Sequence, residues 1–270
     1  MTNLRYFLGD ILRRSRLLGR RDEAAAVQRL FPLLRRPKHQ PGTITWQNHP
    51  LCYADASALY HQLSDIYIER AYDFTCDQPA PRILDVGGHI GLASLRLRQL
   101  FPHARLTTFE PDPVLANMLR TNLAAAGDAA TELIVAAAWS SDGSRAFAAT
   151  GDDSGALADH GSLQVSTVDF ARFCLEPVAF LKLDVEGAEF ELIEHLAATG
   201  ALSQVRRVFI ELHEWQDGPP RFHSLIGRLA TAGFNYRLRS AALFGAEPQP
   251  GGFTAVGHPG NLVALYAWRD

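Results

Sequence analysis

Ile83-Leu84-Asp85-Val86-Gly87-Gly88-His89-Ile90-Gly91 runs an apolar strand into a glycine-rich bend. A strand this apolar needs cover on both faces, which points to a parallel sheet flanked by helices. Outward from it the same rhythm repeats. Apolar runs of strand length fall at Arg82–Val86, Arg105–Phe109, Glu132–Trp139, Phe180–Asp184 and Arg207–Leu212, with helical stretches between them. Asp112-Pro113 reads as a helix N-cap with Pro at the first helical position, and Gly127 as that helix's end. Asp217, Pro219 and Pro220 precede a further helix that closes near Gly233. Phe234–Arg239 and Leu262–Trp268 complete the set as two last strands. The order predicts an α/β fold, a doubly wound Rossmann-like sheet, mostly parallel. Residues 140–170 interrupt the rhythm. Asp142-Gly143 and many small residues there suggest an insertion containing a hairpin.

Ahead of this core the chain divides into a basic helical extension, residues 1–42, and a main domain, 43–270. The main domain opens with a hairpin and helix over 43–80 and continues as the Rossmann-like core over 81–270. The hairpin is read from Thr43–Gln47 and Leu51–Ala54, the helix from about Ser57 to Phe74. Leu4, Phe7, Leu8, Ile11 and Leu12 space an apolar stripe along the extension. Residues 1–40 carry a net charge of +7 within a total of −3, which leaves −10 for the remainder. A solvated helical face explains the basic leader without a partner, and the acidic body argues against a nucleic-acid substrate. Apolar residues make up 47% and charged residues 20%, enough to bury a full core. Cys52, Cys76 and Cys174 form neither a pair motif nor metal-ligand spacing, which suits a reducing, cytoplasmic compartment. No apolar run is long enough for a membrane span, and the leader lacks the apolar region of a secretory signal. The sequence carries no signature of oligomeric state.

The glycine bend carries the first chemical signal. Gly87, Gly88 and Gly91 let backbone approach a ligand closely, and the helix start beyond them suits a carboxylate. Asp85, at the carboxyl end of its strand, can hold an ammonium directly or through water, so bend and acid together fit a zwitterionic amino-acid tail. Glu110, 23 positions after Gly87, ends the next strand in Phe109-Glu110-Pro111. An acid there accepts hydrogen bonds from both hydroxyls of a ribose. A dinucleotide reading requires a third glycine where His89 stands, and a pyrophosphate would be repelled by Asp85. Ala136-Ala137-Ala138-Trp139 ends the third strand. Ala138 leaves room for an adenine ring, and Trp139 is either its wall or a core residue.

Charge gathers at the next strand ends. Lys182, Asp184 and Glu186 alternate, so in extended geometry they share one face, as do Glu211 and His213. Such a set either lines a cleft or pairs internally. His213 is the expected general base if its pKa lies near neutrality, and Asp184 is a base or an orienting group. Two other readings stay open. One is a divalent metal held by Asp184, Glu186, Glu211 and His213; the other is an ion-pair network. Glu189, Glu191 and Glu194 are expected on exposed helix positions.

These residues resemble the FkbM methyltransferase family. The matching pieces are Asp85–Gly91, Phe109-Glu110-Pro111, Ser166-Thr167-Val168-Asp169 and Leu181-Lys182-Leu183-Asp184-Val185-Glu186-Gly187-Ala188-Glu189, with the Asp65, Glu69, Tyr72 spacing before the first strand. The family commonly has Ala-Asn where this chain has Gly88-His89. The resemblance implies a class I methyltransferase fold and S-adenosylmethionine as methyl donor. It further implies O-methylation of a hydroxyl on a sugar, polyketide or other secondary metabolite. On this reading Tyr72, Asp85, Gly87, Gly88, His89, Gly91, Glu110, Ala138 and Trp139 bind the cofactor. Lys182, Asp184, Glu186 and His213 serve the reaction, without a required metal. The partner is a small-molecule acceptor. An NAD(P)-dependent oxidoreductase and a non-catalytic cofactor-binding regulator are the alternatives.

Overall fold

The structure is a computed structural model that describes Ala25 and residues 29–150, 155–158, 160–214, 221–240 and 261–270. The apolar stripe of the extension and the Asp217–Pro220 helix start lie outside the described residues. Among the described residues, a hairpin comes first, β1 (Gly42–Trp46) and β2 (His49–Tyr53), paired antiparallel. Gln47 and Asn48 between them both have positive φ, as a two-residue hairpin turn of matching twist requires. Asp55 then caps α1 (Ala56–Leu63), accepting from the amides of Ser57 and Ala58 at 2.8 and 3.0 Å. A π-helical turn, Ser64–Ile68, follows, so the helix read as far as Phe74 ends earlier.

The core elements are β3 (Arg82–Val86), α2 (Leu92–Leu100), β4 (Arg105–Phe109), α3 (Pro113–Ala125) and β5 (Glu132–Ile134). After an inserted sheet come β10 (Phe180–Leu183), α4 (Glu189–Ala198), β11 (Arg207–Glu214), α5 (Phe222–Thr231), β12 (Asn235–Ser240) and β13 (Asn261–Trp268). The central sheet has the order β12-β13-β11-β10-β3-β4-β5. Its strands run parallel except β13, which is antiparallel to both β11 and β12. Alternation along β3 sends Ile83 into one apolar core and Leu84 and Val86 into the other, one on each face. α2, α3 and the hairpin cover the first face; α4 and α5 cover the second. Asp112 caps α3, with Pro113 in its first turn, and Gly127 follows its end at φ +78°.

The third strand differs from its expected span, Glu132–Trp139. β5 stops at Ile134, level with the end of β4 at Phe109, its one strand partner among the described residues. The chain then forms β6 (Ala137–Trp139) in a second sheet, with β7 (Gly143–Ala148), β8 (Ala156–Leu157) and β9 (Leu163–Asp169), order β6-β9-β7-β8. The 140–170 insertion is therefore a small sheet that extends the carboxyl edge of the main one. No described helix is long and apolar enough to cross a membrane.

Candidate active site

Buried Asn122 on α3 anchors the bend. Its side-chain amide donates to the carbonyls of Cys52 and Ile90 at 2.9 and 2.8 Å, and its oxygen accepts from the Cys52 amide at 2.7 Å. The amides of Gly87 and Gly88 both donate to the Phe109 carbonyl at 3.1 and 2.8 Å. The next amide, on His89, donates to Glu110 Oε2 at 2.8 Å, and Asp112 N donates to Oε1 at 2.9 Å. Bend and strand tip are thus hydrogen-bonded to one another. The reason for the glycines is packing rather than ligand approach alone. Gly87 has φ +86°, and a Cβ there would lie 1.8 Å from the Asp184 carbonyl oxygen. A Cβ on Gly88 would lie 2.3 Å from Thr108 Oγ1. Gly91, at φ +91°, is the N-cap of α2.

A cleft of about 670 Å³, its open mouth included, lies over this junction. Gly87, His89, Glu110, Ala138, Asp184 and Glu186 line it, so six of the thirteen expected cofactor and reaction residues meet in one place. Ala136, Ala137, Phe147 and Leu157 form an apolar wall, and Gln62 faces the bend. His89 Nδ1 lies 2.9 and 3.1 Å from the Gln62 side-chain amide atoms. Burial pushes the Glu110 carboxyl up to about 8 against the pull of its two amide donors.

Seven expected positions do not line the cleft: Gly88 and Gly91, which shape the bend, His213 behind Glu186, and Trp139, Tyr72, Asp85 and Lys182. Trp139 does not line the cleft; the Arg145 guanidinium stacks 4.5 Å from its ring centre on the second sheet. Phe147 and Leu157 supply the apolar wall instead. Tyr72 is buried against Phe209, ring centres 4.9 Å apart, outside the cleft. Burial first, with Asp184, Glu211 and Asp85 nearby, raises its phenol well above the usual value. Asp85 is fully buried, its Oδ2 accepting from Ser94 Oγ at 2.6 Å and Thr108 Oγ1 at 3.4 Å. That position rules out direct contact with a ligand's ammonium. Lys182 is 2% exposed and also outside the cleft.

The shared extended face of Lys182, Asp184 and Glu186 does not form. β10 ends at Leu183, and Glu186 sits in a turn at φ +54°. Glu189, expected on an exposed helix face, is wholly buried. It accepts from the amides of Val185 at 3.0 Å and Gly187 at 2.9 Å and so brackets that left-handed residue. Its Oε1 also lies 3.1 Å from His213 Nδ1, while Glu186 Oε1 lies 3.4 Å from His213 Nε2. Burial alone would lower the His213 pKa, but Glu189 and Glu186 outweigh it and lift it to about 10. An imidazole so placed is held in its protonated form at neutral pH, which speaks against the expected role of His213 as base. Burial first, then the Asp184 carboxylate, pushes Glu211 upward.

Asp184, Glu186 and His213 each place one ligating atom within 4.8 Å of the others; Glu211 is outside this group. The carboxylates already face cations of the chain, Lys182 at 3.3 Å from Asp184 and His213 at 3.4 Å from Glu186. This favours the ion-pair reading over a metal. A side chain reaching from the second sheet, such as Phe147, has no signal in local sequence. Glu189 had one: an acid in the first helical turn after Glu186-Gly187 can turn back to the exposed amides before the helix.

The sheet order with its antiparallel β13 and the cleft at the carboxyl edge define a class I methyltransferase-type α/β domain. Residues 85–236 match the model of the methyltransferase FkbM domain, and the chain belongs to that family. It is similar to the methyltransferase sdnD of Sordaria araneosa, 38% identical over 60 residues, 22% of this chain and 23% of that protein. It is also similar to the AMB antimetabolite synthetase AmbE of Pseudomonas aeruginosa, 26% identical over 258 residues, 76% of this chain and 12% of that protein. The match therefore spans under a quarter of either relative's length. Among solved structures, the FkbM methyltransferase of Methylobacillus flagellatus KT aligns with a TM-score of 0.48 and 13% identity, covering 92% of this chain and 60% of that one.

Proposed function

We propose that this domain transfers a methyl group from S-adenosylmethionine to a hydroxyl of a small-molecule acceptor: a sugar, a polyketide or another secondary metabolite. One observation carries the reading. Glu110 and the glycine bend line the same cleft as Asp184 and Glu186. The fit to the cofactor is chemical. Glu110 offers acceptor oxygens to a ribose diol. The slot of Ala136, Ala138, Phe147 and Leu157 suits a purine, and His89 with Gln62 adjoins the place for the amino-acid tail. S-adenosylmethionine, when bound, supplies an electrophilic methyl group on a sulfonium. The chain's part is alignment and proton removal. Asp184, the cleft carboxylate beside the buried Lys182, accepts the hydroxyl proton. His213, as a cation, holds Glu186 and Glu189 in place. Cys52, Cys76 and Cys174 are all free, which fits a cytoplasmic setting.

A thermal-unfolding screen tests the reading. S-adenosylmethionine and S-adenosylhomocysteine should stabilise the protein, by about 2.7 kcal/mol at a ligand concentration near 100 times Kd. NAD and NADP should not. Stabilisation by a dinucleotide alone would transfer the assignment to an oxidoreductase.

A further inference from the structure

Lys182 is among the largest fully buried side chains, yet it ends in an ammonium. On β10 it pairs in register with Asp85 on one side and Phe209 on the other. Its Nζ donates to the Gly87 carbonyl at 2.8 Å and lies 3.4 Å from Asp85 Oδ1 and 3.3 Å from Asp184 Oδ2. Three contacts match the three hydrogens of an ammonium. The Tyr72 ring stands 5.5 Å from Nζ and covers the remaining approach.

We propose that Lys182 is a positioning residue for cofactor binding, a buried cation that ties the glycine bend to the carboxylate at the reaction edge. It touches no substrate, since neither its exposure nor the lining of the cleft gives it access. Two of its three partners, Gly87 and Asp184, do line the cleft. Stability alone gives little reason for a charge here, because an apolar side chain of similar volume is often as stable in such a place. What only the cation provides is a donor for the Gly87 carbonyl and a fixed direction for Asp184. Burial pulls the Lys182 pKa down, but Asp184 and Asp85 more than offset it, so the side chain stays charged.

The inference rests on the proposed function, and wild-type binding of S-adenosylhomocysteine, measured by calorimetry, is the control. Two variants are compared, Lys182→Met and the double variant Asp85→Asn/Lys182→Met. The single variant leaves Asp85 buried without its cation and loses stability. The double variant removes that charge and returns the melting temperature towards wild type. In both, the Kd for S-adenosylhomocysteine should rise about tenfold or more, because the Gly87 carbonyl has no donor in either. A folded double variant with wild-type affinity would overturn the proposal and reduce Lys182 to a structural residue. Amide exchange at Gly87, Gly88 and His89, measured without ligand, tests it independently of any cofactor. Faster exchange in the double variant, at unchanged global stability, supports the tie; unchanged exchange refutes it. Failure of the wild type to bind would count against the proposed function and leave this second readout to decide the role of Lys182.

Discussion

On the side of the cleft proposed to hold the nucleoside, the bend and the strand tip are held by backbone amides. Gly87 and Gly88 bond to Phe109, and Glu110 is fixed by the amides of His89 and Asp112. On the proposed reaction side, Asp184, Glu186 and His213 are held by charges, with Lys182 and Glu189 buried behind them. The first side depends mainly on chain geometry, with Glu110, raised to about 8 by burial, as a group that titrates there. The second depends on the protonation of groups that have little or no water around them. Binding of the cofactor and readiness for the reaction should therefore respond differently to the same perturbation.

The largest expected effect separates them by pH. His213 has a raised pKa, so the stability it contributes is fully present below its unfolded value near 6.5. It is lost as the pH climbs towards about 10. Urea unfolding should show this loss, up to about 5 kcal/mol over that window. His213→Gln should lower the slope, leaving below about pH 8 the part that comes from ionising buried Glu110 and Glu211, and a wild-type profile flat from pH 6.5 to 10 would break the charge-held picture of this side. Next comes Asp184→Asn. It should slow methyl transfer about 100-fold, followed with labelled donor on an acceptor found by profiling hydroxylated metabolites. Affinity for S-adenosylhomocysteine should change little, and a variant with full activity would remove Asp184 as the base. The smallest effects sharpen the apolar wall. Phe147→Ala should weaken S-adenosylhomocysteine about tenfold through lost contact with the purine. Trp139→Ala, on the second sheet under Arg145, should leave the Kd unaltered, and the reverse order would return the wall to Trp139.

The same contrast explains what the sequence made legible. The first two strand spans, the Asp112-Pro113 cap and the junction of bend with Glu110 are local, and each follows from a few neighbouring residues; the third strand, which changes sheet after Ile134, does not. Asp85 and Lys182 stand out in the sequence, but their burial does not. The alternation rule places a side chain on a face without saying what covers that face, here Tyr72. The rule also assumed that the strand continues through Glu186, where the chain in fact turns. Phe147 reaches the cleft only because the insertion folds into a second sheet, and Trp139 misses it for the same reason. The pKa of His213 was unreadable because it depends on Glu189, which lies 24 positions away and is buried by tertiary packing.

The most direct test of the shared pocket is calorimetric titration of S-adenosylhomocysteine into the wild type and Glu110→Gln at pH 9, where the Glu110 carboxyl is ionised. If its two oxygens receive the ribose hydroxyls, the substitution weakens binding about 30-fold without changing the fold, as expected for lost hydrogen bonds to a charged group. Equal affinity in the two proteins would mean that the nucleoside does not meet this strand tip.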